Sequence, residues 1–170
     1  IVGGDKDYPP YEYLDENGNP TGYNVELTQA IARKMGLNVE VVLGEWGETL
    51  ERLANGEIDI VHGMFYSPER ERLFNFSPPH AVVSHVMVSR KGMPLPETLA
   101  GLRGKAVVVM DGDIMNDKAI QVGLQNVTTV SSQEEALRQL AEGLHDYALV
   151  ARIPALYWIE KKGWDNLQVS

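Results

Sequence analysis

The sequence predicts an α/β protein of two lobes, each built on a mostly parallel sheet covered by helices. Three observations lead there. Short apolar strand patterns alternate with helical patterns along the whole chain, which implies parallel strands joined by helical crossovers. The alternation runs twice, interrupted at Arg90-Lys91-Gly92-Met93-Pro94, which reads as a linker. Strand patterns also run straight into polar turns, and in open α/β sheets ligands bind beyond the carboxyl ends of strands. The predicted lobes are residues 1–90 and 91–170, with a cleft between them and a last strand beginning near Leu167.

Each element has its own signal. Ile1-Val2-Gly3-Gly4 is a short buried-strand pattern that opens into Asp5-Lys6-Asp7-Tyr8-Pro9-Pro10-Tyr11, a polar and aromatic loop stiffened by proline. Asp15-Glu16-Asn17-Gly18-Asn19-Pro20 is a turn at a hairpin tip. Asn24 is placed to cap a helix whose apolar face is Leu27, Ala30, Ile31 and Met35, and Gly36 ends it. Val39–Leu43 is a strand. Trp46, Leu50, Leu53 and Ala54 form the next helical face, with Gly56 as its stop. Ile58–Val61 is a strand again. The prolines of Phe74-Asn75-Phe76-Ser77-Pro78-Pro79-His80 force an extended passage, and Ala81–Ser89 is β-rich and assigned to the first lobe.

In the second lobe Lys105–Met110 is a strand, and Asp111-Gly112-Asp113 is a tight turn into a helix from Ile114 to about Val122. Val127–Val130 follows as a strand. Ser132 and Glu135 form a capping box before Ala136, Leu137, Leu140 and Ala141. Tyr147–Ala151 is a strand, Ile153–Lys161 a helix, and Leu167–Val169 opens one more strand.

Composition narrows the function. With a formal net charge of −9 over 170 residues, the chain lacks the basic face that nucleic-acid binding needs. It has no cysteine, so disulfides, thiolate catalysis and cysteine-bound metal are excluded. No apolar run approaches the length of a membrane span, and no signal peptide is evident. His62, His80, His85 and His145 lack metal-ligand spacing, no elbow presents a nucleophilic serine, and no cofactor motif is present.

The stretch from His62 to Arg70 carries most of the chemistry. Ser67 is placed to cap a helix, Pro68 suits its first position, and Arg70 falls in the first turn. An arginine there, beside free backbone N–H groups, makes a site for an anion, most naturally a carboxylate held by a two-pronged guanidinium. The bland alternative is a solvated surface arginine.

Several motifs then fall in a familiar order: Asp5-Lys6-Asp7-Tyr8-Pro9-Pro10-Tyr11-Glu12-Tyr13, Gly22-Tyr23-Asn24-Val25-Glu26-Leu27, Asn55-Gly56-Glu57-Ile58-Asp59 and Ser67-Pro68-Glu69-Arg70. Leu99-Ala100-Gly101-Leu102-Arg103-Gly104-Lys105 and Ala141-Glu142-Gly143-Leu144-His145-Asp146-Tyr147 continue the series. The set resembles the amino-acid-binding branch of bacterial periplasmic solute-binding proteins, type II. It is equally similar to the Venus-flytrap sensor domains of membrane histidine kinases. The resemblance implies two lobes that close on a small ligand. It implies that Asp5 and Tyr8 belong to the first ligand loop and that Trp46 stacks on the ligand. His62, Gly63 and Phe65 would match contacts just before the arginine, and Arg70 the residue that holds the ligand carboxylate. Asp113 and Ile114 would form the turn that closes over that carboxylate.

The chain departs from the family pattern in ways that bear on the ligand. The usual hydroxyl residues are replaced by His62, Gly63 and Phe65 in the first lobe and by Ile114 in the second. The acid that normally pairs with an α-ammonium falls at Ala151, with Arg152 next to it. An unpartnered buried ammonium costs several kcal/mol. An acid lacking the amine is therefore expected as ligand, unless Asp5 or Asp113 takes over the pairing. The family also returns to the first lobe after the strand near Leu167. The expectation is that these residues are not the whole module, so that apolar surface and a strand edge of the first lobe are covered by further chain or by a second copy in a homodimer, or else that the lobe is rearranged.

The function expected from all this is an extracytoplasmic, periplasmic ligand sensor that binds a small carboxylate and signals by lobe closure. Its partner would be a membrane-anchored histidine kinase in the same longer chain. The alternatives are the solute receptor of an amino-acid-type ABC uptake transporter and a cyclohexadienyl-dehydratase-like enzyme. Ala151-Arg152 at the place of the dehydratase acid speaks against the last.

Overall fold

The computed structural model describes residues 1–170, which divide into two compact units, Ile1–Val82 and Val83–Ser170. In the first, β1 (Val2–Asp5) is buried along its whole length. Its middle residues are glycines because neighbours crowd both faces. A Cβ on Gly3 would lie 2.7 Å from Ile58 Cδ1, and one on Gly4 2.5 Å from His62 Nε2. Short strands β2 (Asp7–Tyr8), β3 (Glu12–Leu14) and β4 (Pro20–Thr21) form an antiparallel sheet. Its tip is the predicted turn, where Asp15 Oδ1 accepts from the N–H groups of Asn17 and Asn19.

Helix α1 (Tyr23–Met35) begins two residues earlier than predicted. Gly22, not Asn24, is the N-cap, with φ at +108°, and a Cβ there would meet Tyr11 O at 2.6 Å. Asn24 lies inside the helix and is buried. The buried side is also not the predicted one. Asn24, Val25 and Ala32 point inward, while Ile31 is 50% exposed and Met35 66%. The rotation follows from hydrogen bonds: Asn24 and Thr28 reach Glu12 and His62, and that polar pair sets which side faces in.

Next come β5 (Val41–Gly44) and α2 (Trp46–Ala54), which buries Trp46 and Thr49. Of the predicted strand over 58–61, only β6 (Ile60–Val61) pairs. The parallel sheet has the order β5-β1-β6. A single helical turn, α3 (Pro68–Glu71), follows, and residues 74–82 run without regular structure.

The second unit opens with β7 (His85–Arg90), which corrects the predicted boundary. Its ladders run to β10 (Tyr147–Ala151) and β11 (Leu167–Val169), so it belongs to this unit's sheet and not to the first lobe. Residues 91–94 are accordingly a turn inside the unit, with the Lys91 N–H donating to Asn166 O. A 3-10 turn at Leu99–Leu102 leads to β8 (Val107–Met110), α4 (Ile114–Gln121), β9 (Val127–Val130), α5 (Gln133–Ala141) and, after β10, α6 (Arg152–Lys162). The sheet order is β11-β7-β10-β8-β9. It is mixed, because β7 runs against both β10 and β11 while β8, β9 and β10 are parallel. Strands β8 and β10 are buried on both faces, which is why they read as unbroken apolar runs. The core packs Val88, Val108, Leu137, Leu140, Ala148, Val150 and Ala155 together.

Candidate functional site

The sheet of the first unit delivers two chain segments to neighbouring positions. Strand β1 ends at Asp5, and β6 ends just before His62, both strands running parallel. Their carboxyl ends therefore lie at one edge, where a parallel sheet presents its loops. Asp5 is buried, and its Oδ1 accepts the Asp7 N–H at 2.8 Å. This bond rounds the chain into β2, where Tyr8 is buried and lies 5.7 Å ring to ring from Tyr11. Trp46 is the first residue of α2 and is only 4% exposed.

Arg70 follows from local sequence as expected, with one correction. Ser67 caps α3 through its Oγ, which accepts the Arg70 N–H at 3.2 Å. That N–H is thus already used, and one turn of helix adds little dipole of its own. The expected anion contact therefore falls to the guanidinium. Arg70 is buried, at 8% exposure, and its Nη1 donates to Phe65 O at 3.4 Å. Burial overturns the reading of a solvated surface arginine. A guanidinium held this far from water is a strong partner for a carboxylate.

Beneath these two segments lies a residue that the sequence reading passed over. Glu12 on β3 is 2% exposed. Its Oε1 accepts the Asp5 N–H at 2.8 Å, and its Oε2 accepts from Asn24 Nδ2 at 2.6 Å. His62 Nε2 stands 3.2 Å from the same Oε2, and His62 Nδ1 is 2.9 Å from Thr28 Oγ1. His80 Nε2 meets Asn24 Oδ1 at 3.3 Å, and its ring stacks on Tyr23. Gly63 is required by this cluster: a Cβ there would lie 2.6 Å from Glu12 Oε2. Burial pushes the Glu12 carboxyl up to about 7, against the hydrogen bonds from Asn24 and Asp5 that favour its ionised form. Burial, helped by the nearby His80, holds His62 down at about 4. The available signal was that Glu12 sits between two aromatics, Tyr11 and Tyr13, where alternation puts it on the opposite face from theirs.

The predicted residues of the second unit sit apart from this cluster in the chain and have roles of their own. Asp113 is the N-cap of α4: its Oδ1 accepts the Met115 N–H at 2.7 Å and its Oδ2 accepts from Gln133 Nε2 at 3.1 Å. His85 Nε2 lies 3.9 Å from Asp113 Oδ1. Ile114 is buried at the start of α4. Gln133 also accepts the Ala151 N–H at 3.0 Å, so it ties the turn before α4 to the end of β10. Arg152 is exposed, and its Nη1 donates to Ser170 O at 2.8 Å.

Parallel βα segments that end in a buried arginine, followed by a second α/β unit with a mixed sheet, define a solute-binding protein of the type II periplasmic class. The chain belongs to the bacterial extracellular solute-binding proteins, family 3, whose sequence profile matches residues 1–147. It is 35% identical over 119 residues to the arginine-binding extracellular protein ArtP of Bacillus subtilis, covering 69% of this chain and 46% of that protein. It is 31% identical over 150 residues to membrane-bound lytic murein transglycosylase F of Aeromonas hydrophila, covering 84% of this chain and 30% of that protein. The chain thus spans less than half the length of these curated relatives. Among solved structures, it is similar to a histidine kinase sensor domain resembling periplasmic binding proteins. That match has 42% identity and a TM-score of 0.94 over 99% of this chain and 74% of the other. The holo arginine-binding protein ArgBP of T. maritima matches with 29% identity and a TM-score of 0.88, over 99% of this chain and 75% of the other. No helix of the chain is long and apolar enough to cross a membrane.

Proposed function

We propose that the chain is the solute-sensing domain of an extracytoplasmic receptor, and that the solute is a small carboxylate held by Arg70. The observation that carries this reading is the buried Arg70 guanidinium beyond the end of β6. Asp5, Tyr8, Trp46, His62, Gly63 and Phe65 would complete the first unit's share of the contacts. Asp113, Ile114 and Arg152 would supply the second unit's share, with Asp113 acting through its turn, since its carboxylate caps α4. Signalling follows if the solute binds one conformation better than another, because differential affinity alone shifts the equilibrium. The likeness to a kinase sensor domain, at 42% identity, supports a sensor in a longer membrane protein with a kinase as its output. The likeness to ArtP, an arginine-binding extracellular protein, supports the second reading, a receptor for solute uptake. Sequence flanking this domain separates the two: a membrane span followed by a kinase means sensing.

The ligand class is the sharper question. Relatives include an ancestral arginine-binding protein bound to arginine and to glutamine. In this chain Ala151 is wholly buried and apolar where the family's ammonium partner is expected, which favours acids without the amine. The test is calorimetry with L-arginine and with 5-guanidinopentanoate, the same acid lacking the amine. The deaminated acid is expected to bind more tightly, and Arg70→Ala to weaken it tenfold or more, as loss of a charged hydrogen bond of roughly 1.5–3 kcal/mol requires. Tighter binding of L-arginine would overturn the ligand class; unchanged affinity in the variant would overturn the role of Arg70.

A further inference from the structure

Glu12 joins the two segments that carry the proposed solute contacts. Through Oε1 it holds the Asp5 N–H, and through Oε2 it abuts Gly63, where there is no room for a Cβ. His62 on the second segment reaches the same oxygen, at 3.2 Å. Glu12, Asp5 and Asn24 are all under 7% exposed. So the segments are tied to each other by a carboxyl group whose charge is not fixed by a basic residue.

We propose that Glu12, His62 and Asn24 form a proton-loaded clasp that positions the two solute-binding segments of the first unit, so that solute affinity depends on the charge of the clasp. The inference rests on the proposed solute site for its consequence, though not for its chemistry.

His62 Nε2 approaches Glu12 Oε2 to 3.2 Å without itself making a hydrogen bond, and a small turn of the ring closes one in either of two states that differ by one proton. In the loaded state the Glu12 carboxylic acid donates from Oε2 to His62 Nε2, and His62 Nδ1–H donates to Thr28 Oγ1. The clasp is then neutral. When it unloads, the Nδ1 proton leaves to solvent and the Glu12 proton settles on Nε2. The Thr28 hydroxyl turns to donate to Nδ1, and the Nε2–H now faces a carboxylate. The clasp carries one negative charge, buried under Asp5 and Gly63. The solute carboxylate at Arg70 is bound less well beside it, so affinity falls as pH rises. The raised Glu12 and depressed His62 place the loss of this proton near neutrality.

The other groups facing the clasp are few. Strand β1 contributes the Asp5 carboxylate, whose Oδ1 is taken by the Asp7 N–H. Strand β2 contributes the Tyr8 phenol, cross-strand from Glu12. The passage after α3 contributes His80, bonded to Asn24. Helix α1 offers Asn24 and Thr28, which do not titrate, and the carboxylates Glu48 and Glu51 of α2 are exposed. No lysine or arginine stands within ion-pairing distance of Glu12, whose only such neighbour is His62.

The experiment is a pH titration by NMR of protein carrying ¹⁵N-labelled histidine and backbone, from about pH 5 to about pH 8.5. The His62 ring is expected to change from the Nδ1–H to the Nε2–H tautomer, and the Asp5 and Gly63 amides to move with the same midpoint. In Glu12→Gln all three curves flatten. Calorimetry with 5-guanidinopentanoate, whose charges do not change in this range, is expected to show affinity falling about fivefold or more as pH rises, and no such trend in Glu12→Gln. The wild-type titration stands even if the variant fails to fold: Asp5 and Gly63 amides that do not follow the His62 ring overturn the proposal. So does a pH trend in affinity that survives in Glu12→Gln. Should neither 5-guanidinopentanoate nor L-arginine bind while the amides titrate together, the clasp stands and the proposed solute class fails.

Discussion

The two units of this protein put different things in their interiors. In the second, Val88, Val107, Val108, Leu137, Leu140, Leu149 and Val150 are wholly buried, and the polar groups among them include Gln133 and Asp113, which bind each other and nearby backbone. In the first, the buried apolar set is thinner, built on Val2, Val25, Trp46 and Ile58, and it shares the interior with Asp5, Glu12, Asn24 and Arg70. Ile31, Met35, Leu37 and Ile60 of that unit are exposed. The comparison teaches where stability and function are separated. Burying a polar group costs free energy unless its partners are in place, and a protein accepts that cost at sites that bind something. The second unit is held by packing; the first is held by a hydrogen-bonded cluster directly under its candidate site.

The comparison breaks most visibly in the core of the second unit. Leu140→Ala is expected to lower stability by about 2–5 kcal/mol, since a wholly buried leucine leaves a cavity. Urea unfolding measures it, and a loss under about 1 kcal/mol would mean the core collapses around the gap. Arg70→Ala should do the reverse, costing solute affinity far more than packing.

Glu12→Gln sharpens the contrast through pH. A carboxyl raised to about 7 by burial contributes stability that is fully present below its ordinary pKa and lost as pH rises through about 7. His62, held down at about 4, contributes stability present above the ordinary imidazole range and lost as pH falls through about 4. Wild-type stability should therefore fall away on both sides of a window at mildly acid pH. Glu12→Gln should remove the alkaline fall and leave the acid one. Melting temperatures of both proteins across this range decide it; parallel curves would mean that Glu12 is ionised throughout.

A smaller effect is expected at Ser132, whose Oγ caps α5 by accepting the Glu135 N–H at 3.1 Å. Ser132→Ala should cost about 1 kcal/mol by chemical unfolding, with solute affinity unchanged. Of the predicted capping box, this half is formed, while the Glu135 carboxylate is engaged with Arg138 and Gln139.

Sequence alone determined the α/β class, the order of the elements, the hairpin tip at Asp15 and the Ser67 cap that sets Arg70 in place. Each of these is written in neighbouring residues: strand runs, turn residues and caps act over a few positions, and their physics is local. Only the tertiary structure decided the rest. The strand at His85–Arg90 carries no local mark of the sheet it joins, because its partners lie more than fifty residues away along the chain. Helix α1 has an apolar stripe at good helical spacing, yet it turns Asn24 and Thr28 inward, since buried hydrogen bonds to Glu12 and His62 outweigh the stripe. Glu12 itself reads as an ordinary strand glutamate until β1, α1 and the segment after β6 close around it. A carboxyl group acquires its chemistry from the water it loses and the partners it gains, and both are set by residues distant in sequence.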